Sequence, residues 1–228
     1  MWNPATVPDA GVTPEYAAGM TMTHDQKPRG VRMPRSARRT QLLESALEVF
    51  VAQGYHSAAM DDIAERAGVS KPVLYQHFPG KLELYLALLD QSCDTIIEAS
   101  KAALASTDDN KLRVTATVQV FYDYVAGAQG AFRLVFESDL TNEPPVRERV
   151  DRVPRECAEA IAEVIHEDTG LTDAQSQLLA VSLVGMAQVS ARFWLGTSAG
   201  ISQADAATLV SGLAWRGIRG YPRADEQV

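Results

Sequence analysis

Asp62-Ile63-Ala64-Glu65-Arg66-Ala67-Gly68-Val69-Ser70-Lys71-Pro72-Val73-Leu74-Tyr75-Gln76-His77-Phe78 is the stretch that decides the fold. Ile63, Ala64 and Ala67 share one face of a short helix predicted over about residues 59–67. Gly68 and Val69 make a turn, and Ser70 is a good N-cap for a following helix. Pro72 falls in that helix's first turn, where its missing N–H costs little. The third helix stops near Phe78-Pro79-Gly80. Upstream, Leu42, Leu43, Ala46, Leu47, Val49 and Phe50 repeat at helical spacing, and Gly54 ends that helix. Three helices with a glycine turn between the second and third form a helix-turn-helix.

Outward from this unit the pattern stays helical. A long helix starts at Lys81, with Leu84, Tyr85, Leu88, Leu89, Ser92, Ile96 and Ile97 as its stripe, and breaks at residues 107–110. Val114, Val118, Phe121, Tyr122 and Val125 mark the next helix, and residues 132–137 read as a short one. A helix over about 146–168 contains Pro154, which predicts a kink or a split. Gly170 ends it, Thr172 or Asp173 caps a helix to about Leu195, and a last helix spans roughly 202–218. The chain reads as all-α with about nine helices. Residues 1–34 hold five of the eleven prolines and no apolar periodicity, so they read as a disordered arm.

Gly54-Tyr55, the run from Asp62 to Ser70, Leu74-Tyr75-Gln76-His77-Phe78 and Lys81 closely resemble the TetR family of bacterial transcriptional repressors over roughly residues 36–90. That resemblance implies a helix-turn-helix DNA-binding domain over 35–84 and a ligand-binding and dimerisation domain over 85–223. It further implies a cytoplasmic homodimer that binds a palindromic operator on double-stranded DNA and is released by a small-molecule effector. The sequence departs from the family at Ser57-Ala58-Ala59-Met60, where a Thr or Ser usually caps the second helix and meets a phosphate. Alanine cannot cap by side chain; Ser57 would compensate only if the helix began earlier.

The residue types fit DNA on their own chemistry. In a helix-turn-helix the N-terminal residues of the recognition helix meet base edges in the major groove. Here these are Ser70, Lys71, Pro72 and Val73: Lys71 could donate to guanine and Val73 touch a thymine methyl. The resemblance implies that Tyr75 and His77 donate to backbone phosphates, which a phenol and an imidazole N–H suit; Gln76 can donate to a base or a phosphate, and Lys81 adds charge at a helix N-terminus. Met60 and the arm residues Arg38 and Arg39 complete the predicted contacts. Lys27, Arg29, Arg32, Arg35, Arg38 and Arg39 fall within thirteen residues free of acid, suited to phosphates or the minor groove. Leu74 and Phe78 read as core.

The second domain names no ligand. Phe121, Tyr122, Tyr124, Phe132, Phe136 and Trp194 are candidate pocket residues, although aromatics at helical spacing are usually core. Gly185, Gln188, Arg192, Leu209, Val210, Leu213 and Gly217 on the last two helices are the candidate dimer face. The apolar window from Leu178 to Leu195 is interrupted by Ser182, Gln188, Ser190 and Arg192, and reads as a buried amphipathic helix, so no membrane partner is expected. The N-terminus lacks the pattern of a secretory signal. Cys93 and Cys157 read as buried inert thiols. His24, His56, His77 and His166 are scattered; with no nucleophile–base pair, phosphate loop or metal spacing, neither enzyme nor cofactor is expected. The alternative is a helical sensor whose helix-turn-helix no longer reads DNA.

Net charge is −8. It is unevenly spread. Residues 27–81 carry nine Lys and Arg against five Asp and Glu, whereas residues 82–228 carry twelve against twenty-one. The positive part coincides with the helix-turn-helix and its arm, and the acidic remainder is poorly suited to DNA.

Overall fold

The computed structural model describes residues 33–127, 130, 131, 140, 142–197 and 200–218. These residues form eight helices and no strand: α1 Arg35–Ser57, α2 Met60–Arg66, α3 Lys71–His77, α4 Lys81–Ala105, α5 Asn110–Gly127, α6 Pro144–Thr169, α7 Asp173–Gly196 and α8 Gln203–Ile218. The short helix expected over 132–137, and all of the expected arm but Met33 and Pro34, lie outside the described residues.

Helix α1 buries Leu42, Leu43, Ala46, Val49 and Phe50. Its regular path breaks at Gly54, whose φ of 76° is left-handed and favours glycine. The break leaves carbonyls beyond it without helical partners. Gly68, with φ 63°, turns the chain between α2 and α3, and Val69 N–H donates back to the Ala64 carbonyl at 3.0 Å. Gln41 on α1 donates to the Ala67 carbonyl at 2.9 Å, and Arg66 pairs with Glu48, so the turn is tied to α1.

Helix α2 starts at Met60 with Ala59 as an N-cap that makes no side-chain bond. Ser57 closes α1 instead and does not compensate. Asp61 and Asp62 in the first turn offset part of the loss by facing the positive end of the helix dipole.

Helix α6 continues through Pro154, so the proline does not split it in two. The proline withdraws only the N–H that would meet the Val150 carbonyl. Packing of α6 on α4 and α7 holds the remaining turns. Gly170, with φ 66°, ends α6, and Thr172 with Gln175 forms a capping box at the start of α7.

The larger of two hydrophobic clusters runs from Leu42 on α1 to Ala207 on α8, and the smaller joins Ala158, Ala162 and Ile165 of α6 to Ala180 of α7. Helix α4 is the axis of the larger: Leu84, Tyr85, Leu88 and Leu89 are buried, and α4 packs on α1, α5 and α6. Helix α7 is less buried than the sequence reading has it. Leu178, Val181, Val189 and Phe193 are exposed on its outer side, where no described helix packs against them. Length and apolar composition alone would let α7 cross a membrane, but its inner side packs on α6.

Candidate nucleic-acid interface and ligand cavity

The surface of α3 separates as the sequence predicts. Leu74 and Phe78 are buried, and Ser70, Lys71, Pro72, Tyr75 and Gln76 are exposed. Val73 and His77 are half-buried at the edges. Ser70 occupies the N-cap position but makes no side-chain cap bond. The reason is local. Pro72 has no N–H, and the Val73 N–H already donates to Ser70's own carbonyl at 2.9 Å. The Ser70 hydroxyl is therefore left facing outward, beside the first turn.

Lys71 reaches back to Asp61 on α2, 2.7 Å from Oδ1 and 3.0 Å from Oδ2. This hydrogen bond raises the lysine's pKa, with the carboxylate charge adding to it. Arg38 donates to Gln41 at 2.8 Å, and the Arg39 guanidinium lies 4.4 Å from the centre of the Phe78 ring. His77 shares this corner. Partial burial lowers its pKa first, and Arg35, Arg39 and Arg38 lower it further. The α1 start and α3 end thus form one cationic corner in which the imidazole stays neutral near pH 7.

Two predicted contacts are placed elsewhere. Met60 is buried among α1 and α2 side chains, because its position faces the same core as Ile63 and Ala64. Lys81 is turned inward. Its ammonium donates to the carbonyls of Tyr55 at 2.8 Å, His56 at 3.2 Å and Ala58 at 2.9 Å, and lies 4.5 Å from the Tyr55 ring centre. A lysine has three protons to donate, and three carbonyls take them. The break at Gly54 was the sequence signal that carbonyls there needed a donor.

A cavity of about 530 Å³ lies between α4, α5, α6, α7 and α8. Its walls include Leu104, Val114, Val118, Phe121, Val153, Ile161 and Trp215, with Cys157 and Gln188 also lining it. Of the predicted pocket residues that are described, Phe121 lines it and Tyr122, Tyr124 and Trp194 do not. Tyr122 is core, with its hydroxyl donating to Ser190 at 3.0 Å and its ring 5.7 Å from that of Trp194. The Trp194 indole donates to the Ile201 carbonyl at 2.9 Å. Tyr124 donates to the Ser92 carbonyl at 3.2 Å and borders a smaller hollow between α1, α4 and α5. Phe132 and Phe136 lie outside the described residues. Aromatic type alone misled here; the apolar stripe of Val114, Val118 and Phe121 along α5 was the better signal.

At one end of the cavity Arg113 donates to the Thr107 carbonyl at 2.6 Å, Asn110 at 2.9 Å, Asp168 at 3.1 Å and Asp108 at 3.3 Å. Its guanidinium ties α5 to α6 and to the preceding loop. Both cysteines are buried and unpaired. Cys93 donates to the Arg149 carbonyl at 3.5 Å, and burial pushes its thiol up to about 12. Among the described residues no group of His, Cys, Asp and Glu could hold a metal ion.

On the outer face of α7 and α8, Leu209, Leu213, Arg192 and Gly217 are exposed as the dimer reading requires. Gly185 is half-buried. Val210 packs into the core and Gln188 turns to the cavity, because each lies off the exposed stripe. Sequence reasoning missed Leu178, Val181, Val189 and Phe193, which it placed inside a buried helix.

Comparison with known proteins matches this geometry. Residues 42–88 match the family model of bacterial regulatory proteins, tetR family. The HTH-type transcriptional activator FasR of Mycolicibacterium smegmatis is 44% identical over 194 residues, which are 85% of this chain and 89% of FasR. The chain belongs to the TetR family. It is a DNA-binding transcriptional regulator, of a family that is not enzymatic. A TetR-like regulator from Rhodococcus sp. RHA1 has a TM-score of 0.67 at 28% identity, over 83% of this chain and 100% of that one. The fold is also that of FadR from Bacillus subtilis, solved with stearoyl-CoA, at a TM-score of 0.63 and 19% identity, over 77% of this chain and 96% of that one. The exposed residues of α3 lie within the segment that matches the family model.

Proposed function

We propose that this regulator works as a two-fold dimer on a palindromic operator, and that an elongated apolar ligand in the 530 Å³ cavity sets its hold on that operator. The observation that carries the reading is the position of α4. Its first residue, Lys81, holds the carbonyls of Tyr55 and His56 at the end of α1 and of Ala58 just before α2, and Ser100 and Leu104 near its far end line the cavity. A ligand that prefers one placement of α4 biases the reader by that preference alone.

The ligand class follows from the walls. They are mostly apolar, with Phe121 and Trp215 beside the aliphatic side chains and charged Arg113, Asp108 and Asp168 at one end, and the volume lies within the range of small-molecule sites. An alkyl chain suits them, and the stearoyl-CoA held by the Bacillus FadR, a likeness of fold only, makes a long-chain acyl thioester the first probe. The exposed stripe on α7 and α8 supports pairing with a second copy, with residues 35–84 reading DNA and 85–223 sensing and pairing. The sequence resemblance points to a repressor. The name of the Mycolicibacterium relative, alike over the cavity helices as well as the reader, favours activation, and that sign is the one proposed.

The test uses genomic fragments captured by the protein. Stearoyl-CoA, octanoyl-CoA and CoA are titrated while Trp215 fluorescence and fragment binding are followed. Stearoyl-CoA is expected to quench Trp215 and change fragment affinity, octanoyl-CoA less so, and CoA not at all. Equal effects of all three, or none, would remove the acyl-chain reading.

A further inference from the structure

We infer that Lys81 is the positioning residue through which α4 sets the angle of the DNA-reading helices, a role that takes its ammonium away from any phosphate. The inference rests on the ligand-responsive reading above only for its second test.

The geometry begins at Gly54. With φ 76° and ψ 164° it breaks α1, and the carbonyls of Tyr55, His56 and Ala58 converge on one point. The Lys81 ammonium fills that point at 2.8, 3.2 and 2.9 Å. Tyr85, four residues on and so on the same face of α4, stacks edge-on against Tyr55 with ring centres 5.1 Å apart. One face of α4 therefore grips the end of α1 and its junction with α2, by backbone carbonyls and by the Tyr55 ring.

Helix α2 begins directly after that segment without the usual anchor. Ala59 is its N-cap and supplies no side-chain bond. The Ala58 carbonyl, one residue before, is held by Lys81. The entry angle of α2 is thus fixed from α4, and α3 takes its place from α2 through the Gly68 turn.

The clamp is sensitive to small motion. From Leu104 at the cavity to Lys81, α4 spans roughly 35 Å, so a tilt of about 2° moves its start by about 1 Å. Such a shift carries the three bonds beyond hydrogen-bond range. Ligand seated against Ser100 and Leu104 needs no larger displacement to loosen the reader.

Two measurements on the full chain test this, with Lys81→Met, which keeps the apolar stem, and Lys81→Gln as the second variant should Met not fold. First, affinity for captured genomic fragments is measured across a KCl series. Loss of the clamp is expected to weaken binding about tenfold, the worth of one hydrogen bond to a charged group, with the log–log salt slope unchanged. A slope lower by about 0.9, one phosphate contact's worth, would overturn the inference. Amide exchange should quicken at residues 55–60 and stay as in wild type at 113–121; unchanged exchange at 55–60 also overturns it.

Second, stearoyl-CoA is added. Its quenching of Trp215 should be as in wild type, while the factor by which it alters fragment affinity falls to about 1. A factor kept at the wild-type value overturns the coupling role. If stearoyl-CoA alters nothing in wild type, the ligand reading fails, and slope and exchange decide the clamp without it.

Discussion

Asp61 and Lys71 set the chemistry of the first turn of α3. In the unbound protein the ammonium is spent on a carboxylate that also faces the surface where phosphates would lie. Both side chains are well exposed, so the pair contributes little to the fold. Asp61→Asn is expected to leave the melting temperature in place, to tighten DNA binding at low salt, and to steepen the salt slope by up to about 0.9. An unchanged slope, read by fluorescence anisotropy, would mean that Lys71 does not reach a phosphate. His77 carries the pH dependence. Its folded pKa is lowered, so the neutral form is the folded one, and the stability it contributes is lost as pH falls below the ordinary value of 6.5. A phosphate beside it reverses the field, and binding then takes up a proton. Affinity for DNA should therefore rise as pH drops from 8 towards 6, and His77→Gln should flatten that rise. A wild-type profile already flat over this interval would place His77 away from the phosphates.

Among the elements, α2 is the one with a missing part. Its N-cap has the extended backbone of a capping residue, φ −108° and ψ 149°, but an alanine side chain. Ala59→Ser should restore the bond and stabilise by about 1 kcal/mol, a rise of about 2–4 °C in melting temperature, as scanning calorimetry would show. Comparison with α7 makes the point, since Thr172 there accepts from the Gln175 N–H at 3.4 Å in a complete capping box. A variant that melts no higher would mean that the Lys81 clamp already fixes this end. Helix α6 gives the opposite lesson. Its proline does not split it, because one absent bond is outweighed by packing along both flanks.

At the scale of the molecule, the apolar stripe on α7 and α8 is the largest feature unexplained by a single chain. Phe193, Val189, Leu209 and Leu213 are each more than 60% exposed. Exposed apolar surface on this scale marks an interaction site. Leu209→Asp with Phe193→Asp is expected to give a folded monomer by light scattering and to abolish tight binding to captured fragments, since one half-site alone binds weakly. A variant that still sediments as a dimer would move the interface elsewhere. The uneven charge belongs to this scale too: the basic quarter of the chain holds the reader, and the acidic remainder holds the cavity.

The sequence by itself determined the helices, the glycine turn at Gly68, the exposed and buried sides of α3, and the family. These depend on neighbours three or four positions apart, and such spacing is written directly in the chain. Tertiary structure alone decided the rest. It turned Lys81 inward, because three carbonyls released at Gly54 lie 23 to 26 residues away in sequence. It drew Met60 into the core, and chose Phe121 over Tyr122, Tyr124 and Trp194 for the cavity. In each case the side chain's type allowed both roles, and the partners that settled which one come from other helices, whose distances the linear pattern does not encode.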